Sequence, residues 1–138
     1  MKILTEDLIK KELANSKPPF AYKDIKDYPI NDLDHRVFEI FIYTLFESVI
    51  KYPDKNKLSH IKSNFDKVHL CRGIKDGGRD IILSSVGKNN GVVQCKRYNS
   101  PIDKSLAAKE IIKFCLNSLF NKEFIEEKKF DYYLVTAS

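Results

Sequence analysis

Two short apolar segments joined by a turn constrain the fold of this 138-residue chain more than any other stretch. The first segment runs over residues 80–86 and follows Gly77-Gly78, and the second runs over residues 91–98. The connecting residues 87–90 are Gly-Lys-Asn-Asn, a composition typical of turns. Apolar runs of this length, bounded by turn residues, predict a β-hairpin.

Three polar side chains belong to this hairpin. Gln94 and Lys96 are two residues apart in the second strand, so they should project from one face while Cys95 projects from the other. Asp80 opens the first strand, and a hairpin would bring it alongside them. A carboxylate, an amide oxygen and an ammonium group would then lie together. That set suits metal-assisted attack on a phosphodiester, because Mg²⁺ prefers oxygen ligands and a cation offsets phosphate charge. An exposed sheet face is the alternative interpretation of Gln94 and Lys96.

Composition and charge describe an ordinary globular protein, with 43% hydrophobic and 31% charged residues. The net charge of +5 suits a polyanionic partner, but it is weak support because lysine-rich surfaces are common. The three scattered cysteines form no C-x-x-C pair and indicate buried thiols in a reducing cytoplasm. The N-terminus lacks a signal peptide, and the most apolar segment, residues 37–50, is too short and too charged to span a membrane. We therefore expect a soluble cytoplasmic protein.

The elements around the hairpin complete an α+β pattern. We predict helices at 5–15, 31–52 and 103–121 and further strands at 67–71 and 132–136. The order is helix, three-stranded meander, helix, strand, which predicts a mixed sheet flanked by helices. The last strand should be internal and parallel to its neighbour through a helical crossover. We expect residues 1–30 to form a helix and an arm, and residues 31–138 to form a core excised from a longer protein.

The two longer helices each raise a question about burial. The helix at 31–52 is apolar around most of its circumference, so we expect it to be largely buried. Glu39 lies in that apolar wall, and a buried carboxylate must be neutral, paired or bound to a cation. Glu39 is therefore either a metal ligand or a rim residue paired with Arg36 or with a lysine. In the helix at 103–121, the apolar spacing predicts an inner face of Leu106, Ile111, Phe114 or Cys115, and Leu119.

The hairpin also carries the motif of a known family. Asp-Gly-Gly-Arg-Asp at residues 76–80, followed by Val-Gln-Cys-Lys-Arg-Tyr at residues 93–98, resembles the Mrr branch of the PD-(D/E)xK restriction-endonuclease-like nucleases. Phe38-Glu39 resembles the helical F-E pair of that branch, and residues 134–136 resemble its last core strand. The resemblance covers residues 34–138. It implies a restriction-endonuclease-like core and hydrolysis of DNA with Mg²⁺ or Mn²⁺ as cofactor.

The resemblance also implies roles for particular residues. Asp80 matches the metal-binding acid, and Gln94 matches the second position, which is Glu or Asp in most of the superfamily. Lys96 matches the lysine that orients or deprotonates the attacking water, and Glu39 matches the helix acid. The implied metal ligands are Asp80, Gln94, Glu39 and the backbone carbonyl of Cys95. Because Gln94 is neutral, the site should bind metal more weakly and depend more on Glu39. The candidate DNA contacts are Arg79, Arg97, Lys75 and Tyr98. The two arginines suit plain surface positions equally well.

Several functions remain open at this point. The first is a metal-dependent endonuclease for restriction or anti-phage defence, acting on double-stranded DNA as a homodimer or higher oligomer, with a sensor or NTPase module outside this chain. The second is a non-cleaving DNA-binding or assembly module, which the neutral Gln94 favours. The third is a nuclease directed at DNA junctions or RNA. The sequence lacks the phosphate-binding loop of P-loop NTPases and the nucleophile elbow of serine hydrolases, so it encodes neither chemistry.

Overall fold

The computed structural model describes residues 3–16, 30–53, 61, 65–72, 77–126 and 129–137. Its helices and strands are α1 (Glu6–Asn15), α2 (His35–Lys51), β1 (Lys67–Leu70), β2 (Ile81–Ser85), β3 (Lys88–Arg97), α3 (Lys104–Phe120) and β4 (Asp131–Ala137). The predicted α+β order is confirmed. The predicted arm between α1 and α2 lies mostly outside the described residues, as does Lys75. No helix within the described ranges is both long enough and apolar enough to cross a membrane.

The four strands form one mixed sheet in the order β1-β2-β3-β4. The first three strands are antiparallel, and β4 runs parallel to β3 after the crossover through α3. The predicted parallel pairing is thus confirmed. The prediction that the last strand is internal is wrong for the described sheet, where β4 is an edge strand. Its side chains are mostly half-buried rather than fully buried, and an apolar run of this length is compatible with either position.

Helices cover both faces of the sheet, so the strands are apolar on both sides. On one face, Ile81 and Leu83 of β2 and Val93 of β3 pack with α2. On the other face, Ile82 and Val92 pack with Phe114 of α3 and with its neighbours. This alternation fixes which side chains of β3 can reach α3 and which must point toward α2.

Asp34 caps the N-terminus of α2, where its side chain accepts the backbone N–H of Arg36 at 2.9 Å. Its buried side chains are Phe38, Glu39, Ile40, Ile42, Phe46 and Val49. The side chain of Phe41 is 43% exposed, so the buried part of the helix is narrower than the sequence predicted. The helix packs on the sheet along one face and therefore presents Glu39 to the sheet.

The helix α3 buries a different face from the predicted one. Leu106 and Phe114 do face the sheet, but Ile111, Cys115 and Leu119 are exposed, so that part of the prediction is wrong. Glu110 lies one turn after the half-buried Leu106 and one turn before Phe114, and it is buried like Phe114. In this orientation, α3 places Glu110 against two polar side chains of β3, Gln94 and Lys96.

The turn before β2 requires glycine at position 77. Gly77 has φ of +65°, and a Cβ there would lie 2.5 Å from the ring of Phe124. That ring is buried between Phe114, with centroids 5.9 Å apart, and the guanidinium of Arg79, so it has little room to move. Gly87 also has positive φ, +76°, but no described atom lies within 4 Å of its added Cβ.

These two glycines make a matched pair for a stability measurement. We expect Gly77→Ala to lower the free energy of unfolding by roughly 2–3 kcal/mol, since left-handed strain and overpacking add together. Gly87→Ala introduces only backbone strain and should lower the free energy of unfolding by about 1 kcal/mol. Urea denaturation followed by circular dichroism measures both. Equal losses in the two variants would contradict the steric role of Phe124.

Candidate active site

Asp80 precedes β2 and reaches across to β3. Its backbone N–H donates to the carbonyl of Val93 at 3.1 Å, and its Oδ2 accepts the backbone N–H of Cys95 at 2.6 Å. The next residue, Ile81, pairs with Val93 in the antiparallel register. The hairpin therefore holds the Asp80 carboxylate against the middle of the Gln94-Cys95-Lys96 segment.

Gln94 and Lys96 project from the same face of β3, toward α3. Gln94 is buried, and its Nε2 donates to Oε2 of Glu110 at 3.1 Å while its Oε1 accepts from the hydroxyl of Tyr132. The Lys96 Nζ lies 3.6 Å from the same Oε2 of Glu110. The Cys95 side chain points the other way and packs in the core with α2, where burial raises the pKa of its thiol.

Glu39 approaches from α2 and is buried between two basic side chains. Its Oε2 accepts from Nη1 of Arg36 at 2.5 Å, and its Oε1 lies 3.0 Å from Nε2 of His35. The same guanidinium binds Oε2 of Glu12 at 2.7 Å and the carbonyl of Cys71 at 2.9 Å. The predicted pairing of Glu39 with Arg36 is present, but the prediction of a rim position is wrong, because Glu39 is only 3% exposed. Its role toward a metal stays a prediction.

Asp80 is electrostatically coupled to residues of three elements. Burial is the main reason that the pKa of the Asp80 carboxyl rises from 3.8 to about 6. The hydrogen bond from Cys95 opposes that rise, the negative charge of Glu39 adds to it, and positive charges on His35 and Lys96 oppose it. The Glu39 carboxylate of α2 and the Lys96 ammonium group of β3 thus both act on the Asp80 carboxylate.

A second polar cluster lies between β3, β4 and α3. Burial raises the pKa of the Tyr132 hydroxyl, and the charges of Glu110 and Asp80 raise it further. The hydroxyl of Tyr98 is buried and has no hydrogen-bond partner among the described residues. The charge of Asp80 therefore acts on the Tyr132 hydroxyl, which donates to the Gln94 amide oxygen. This effect connects the polar cluster around Asp80 with the one around Tyr132.

The comparison with protein families adds an independent finding. A model of the restriction endonuclease family Mrr_cat matches residues 30–114. The chain belongs to the Mrr_cat restriction endonuclease family. The match runs from before α2 to within α3, so it includes Glu39, Asp80, Gln94 and Lys96. The molecule is a nuclease of the restriction endonuclease type by family. Searches of curated proteins and of solved structures found no match.

The donor groups of the Mrr_cat site fit a divalent metal in part. Within the described ranges, no three His, Cys, Asp or Glu side chains gather into a metal-binding group. The Asp80 carboxylate fits best, since its raised pKa reflects burial beside another negative charge, which a cation would relieve. Both oxygens of Glu39 already face basic groups, and the Gln94 amide oxygen already accepts from Tyr132. These donors would have to rearrange or share their lone pairs.

The candidate DNA contacts of the Mrr_cat domain lie in different environments. Arg79 is only 5% exposed, and its guanidinium lies 3.5 Å from the centre of the Phe124 ring. Arg97 is exposed and donates to the carbonyl of Asn31 at 2.6 Å. Arg79 would have to leave its stacked position to reach a phosphate, whereas Arg97 is at the surface. Their roles in DNA binding stay predictions.

Two polar residues of this cluster were not predicted from the sequence. Glu110 was missed because the apolar spacing of α3 favoured another face, although Leu106, Glu110 and Phe114 follow one another at intervals of four residues. Tyr132 was assigned only to an apolar strand. Its contact with Gln94 depends on the parallel pairing of β3 with β4, in which Val92 lies opposite Tyr132.

Proposed function

We propose that this Mrr_cat domain hydrolyses phosphodiester bonds of double-stranded DNA with Mg²⁺ or Mn²⁺, as the effector domain of a restriction or anti-phage defence system. The observation that carries the proposal is the position of Asp80, whose Oδ2 lies 2.6 Å from the backbone nitrogen of Cys95, midway between Gln94 and Lys96. The electrostatic coupling of Asp80 to Glu39 and Lys96 supports the same assignment.

The residues of the candidate site would have two different roles, metal binding and orientation of the attacking water. Asp80 would hold the metal ion, with the Cys95 carbonyl, the Gln94 amide oxygen and Glu39 as further donors. A bound divalent ion supplies a Lewis acid that lowers the pKa of a water molecule and offsets phosphate charge. Lys96 orients the attacking water and stabilises the negative charge that develops on the phosphate. Lys96 can do so because its side chain is one-third exposed, within reach of a substrate.

A cleavage assay with a matched lysine pair tests this proposal. Lys96→Ala should reduce the nicking of supercoiled plasmid in Mg²⁺ or Mn²⁺ by about 100-fold or more, because it removes a cation from the transition state. Lys109→Ala makes the same chemical change at an exposed position of α3 and should leave cleavage unchanged. Equal nicking by the wild type and the Lys96 variant would show that the activity does not arise from this site. Chelation by EDTA should stop cleavage in the wild type.

A non-cleaving DNA-binding module is the second candidate. The observation that favours it is that the Gln94 amide and the Glu39 carboxylate are already engaged by Tyr132, Arg36 and His35. Isothermal titration calorimetry separates the two candidates. A nuclease should bind Mn²⁺, and Asp80→Ala should abolish that binding. A binding module should bind DNA but should neither bind Mn²⁺ nor cleave the DNA.

A further inference from the structure

We propose that Glu110 of α3 is a positioning residue of the active site, whose carboxylate supplies the negative charge that Gln94 lacks and holds both Gln94 and Lys96 in place. This inference rests on the proposed function of the same site. It extends that site from the hairpin and α2 to the helix on the opposite face of the sheet.

The contacts of Glu110 converge on the Gln94-Cys95-Lys96 segment. Its Oε2 accepts from Gln94 Nε2 at 3.1 Å and lies 3.6 Å from Lys96 Nζ, while its Oε1 accepts from Lys113 Nζ at 3.1 Å. Two ammonium groups at these distances favour the ionised form of a carboxylate. Glu110 is therefore an ionised, buried carboxylate with three donors around it.

Packing alone does not account for the burial of Glu110. The side chain is 6% exposed, whereas Ile112, Leu116 and Leu119 on the same helix are more than half exposed. Burying a carboxylate costs several kcal/mol of desolvation unless its partners compensate. The apolar contacts of Phe114 hold the same face of the helix on the sheet, and beside them Gln94 and Lys96 are the partners on the sheet that compensate the buried carboxylate. Such departures from ordinary patterning are expected at functional sites.

Glu110 also determines which end of the Gln94 amide points away from α3. An ionised carboxylate accepts hydrogen bonds but cannot donate, so it selects the Nε2 end of the amide. The Oε1 end is then directed to the hydroxyl of Tyr132, which can donate. The oxygen of Gln94 is thus fixed by two partners from different elements. The same carboxylate oxygen restrains the Lys96 ammonium group two residues farther along β3.

Single-turnover cleavage kinetics and DNA-binding measurements test the inference. Glu110→Gln should lower the cleavage rate by about 10–100-fold, the usual effect of losing a partner that orients a site residue, while the Kd for DNA changes less than about twofold. Glu123→Gln is the matched control: it makes the same chemical change at an exposed position outside the site and should leave the rate near that of the wild type. Glu110→Asp keeps the charge and should restore part of the rate. It also serves as the second variant if Gln at this position impairs folding.

Two further measurements decide whether Glu110 acts through Lys96. In a Lys96→Ala background, Glu110→Gln should cause no additional loss of cleavage, and a full multiplicative loss would overturn the inference. NMR of the lysine ammonium groups gives a readout independent of activity: the restrained Lys96 signal should disappear in Glu110→Gln and persist in Glu123→Gln. If the wild type fails to cut DNA but that pattern holds, the nuclease proposal fails while the contact between Glu110 and Lys96 stands. If Glu110→Gln cuts DNA like the wild type, the positioning role is wrong.

Discussion

Asp80→Asn is expected to reduce DNA cleavage by about 1,000-fold and, in the same protein, to increase the free energy of unfolding at neutral pH. The loss of activity follows from removing the charged metal donor, since a Lewis acid contributes several kcal/mol and each 1.36 kcal/mol is about tenfold in rate. The gain in stability follows from the raised pKa. The amide oxygen of Asn can still accept the N–H of Cys95, so that backbone contact is kept.

The sign of the stability change depends on pH. The pKa of Asp80 is about 6 in the folded protein against an ordinary value of 3.8, so the folded state holds the proton more tightly than the unfolded state. The contribution of Asp80 to stability therefore falls as the pH rises from 3.8 to about 6, and it stays low above that range. One pKa unit corresponds to about 1.4 kcal/mol. Asp80→Asn should therefore raise the free energy of unfolding by roughly 3 kcal/mol at pH 8 and by about half as much at pH 5.

Urea denaturation in EDTA at the two pH values measures this effect without metal. Asp66→Asn is the matched control, because the exposed Asp66 also accepts a backbone N–H, that of Val86, at 2.8 Å. The control should change neither the stability nor the cleavage rate. A loss of stability in Asp80→Asn at pH 8, or a gain that does not depend on pH, would contradict the buried, proton-binding state of Asp80.

The hairpin and its polar residues were predictable because their geometry is local. The period of two along β3 places Gln94 and Lys96 on one face, and the hairpin places Asp80 beside them. The prediction of the turn at residues 87–90 is wrong: the turn lies at residues 86–87, because Lys88 and Asn89 already pair with β2. The order of elements and the parallel pairing of the last strand followed from the helical segment between β3 and β4. Each of these inferences needed only the residue pattern within an element and the order of elements along the chain.

The orientation of α3 was not predictable from its own sequence. Two stripes compete on that helix: the predicted one, which includes Ile111, Cys115 and Leu119, and the stripe that contains Glu110. Hydrophobic spacing favours the first stripe, while the structure buries the second. The choice depends in part on Gln94 and Lys96, which lie on another element. A rule that assigns helix faces by apolar content fails where the opposing surface is polar.

On the other side of the sheet, the contacts around Glu39 were also only partly predictable from the sequence. Arg36 and His35 lie three and four residues before Glu39, so their contacts follow the helical period and were partly foreseen. The contacts of Arg36 with Glu12 and with the Cys71 carbonyl join three segments that are distant in the sequence. They arise only after α1 packs beside α2, and no local pattern encodes them.

Arg36→Met should lower the free energy of unfolding by roughly 3–5 kcal/mol, because it leaves a buried carboxylate without its main partner. The guanidinium of Arg36 binds Glu39, Glu12 and the carbonyl of Cys71 at once, so one substitution removes the connection between α1, α2 and the end of β1. His35→Ala removes the other partner of Glu39. Because His35 is exposed, this substitution should lower the free energy of unfolding by less than about 1 kcal/mol. Urea denaturation at pH 7 measures both.

A double variant determines whether the unpaired charge of Glu39 causes the loss. If it does, Glu39→Gln added to Arg36→Met should recover a large share of the stability, since the neutral amide costs less to bury than an unpaired carboxylate. If the loss comes instead from the contacts with Glu12 and Cys71, the second substitution should recover nothing. The same double variant also bears on catalysis. A metal ligand at position 39 predicts that cleavage stays impaired when stability returns, because the amide can replace the carboxylate in the fold but not its charge at the metal.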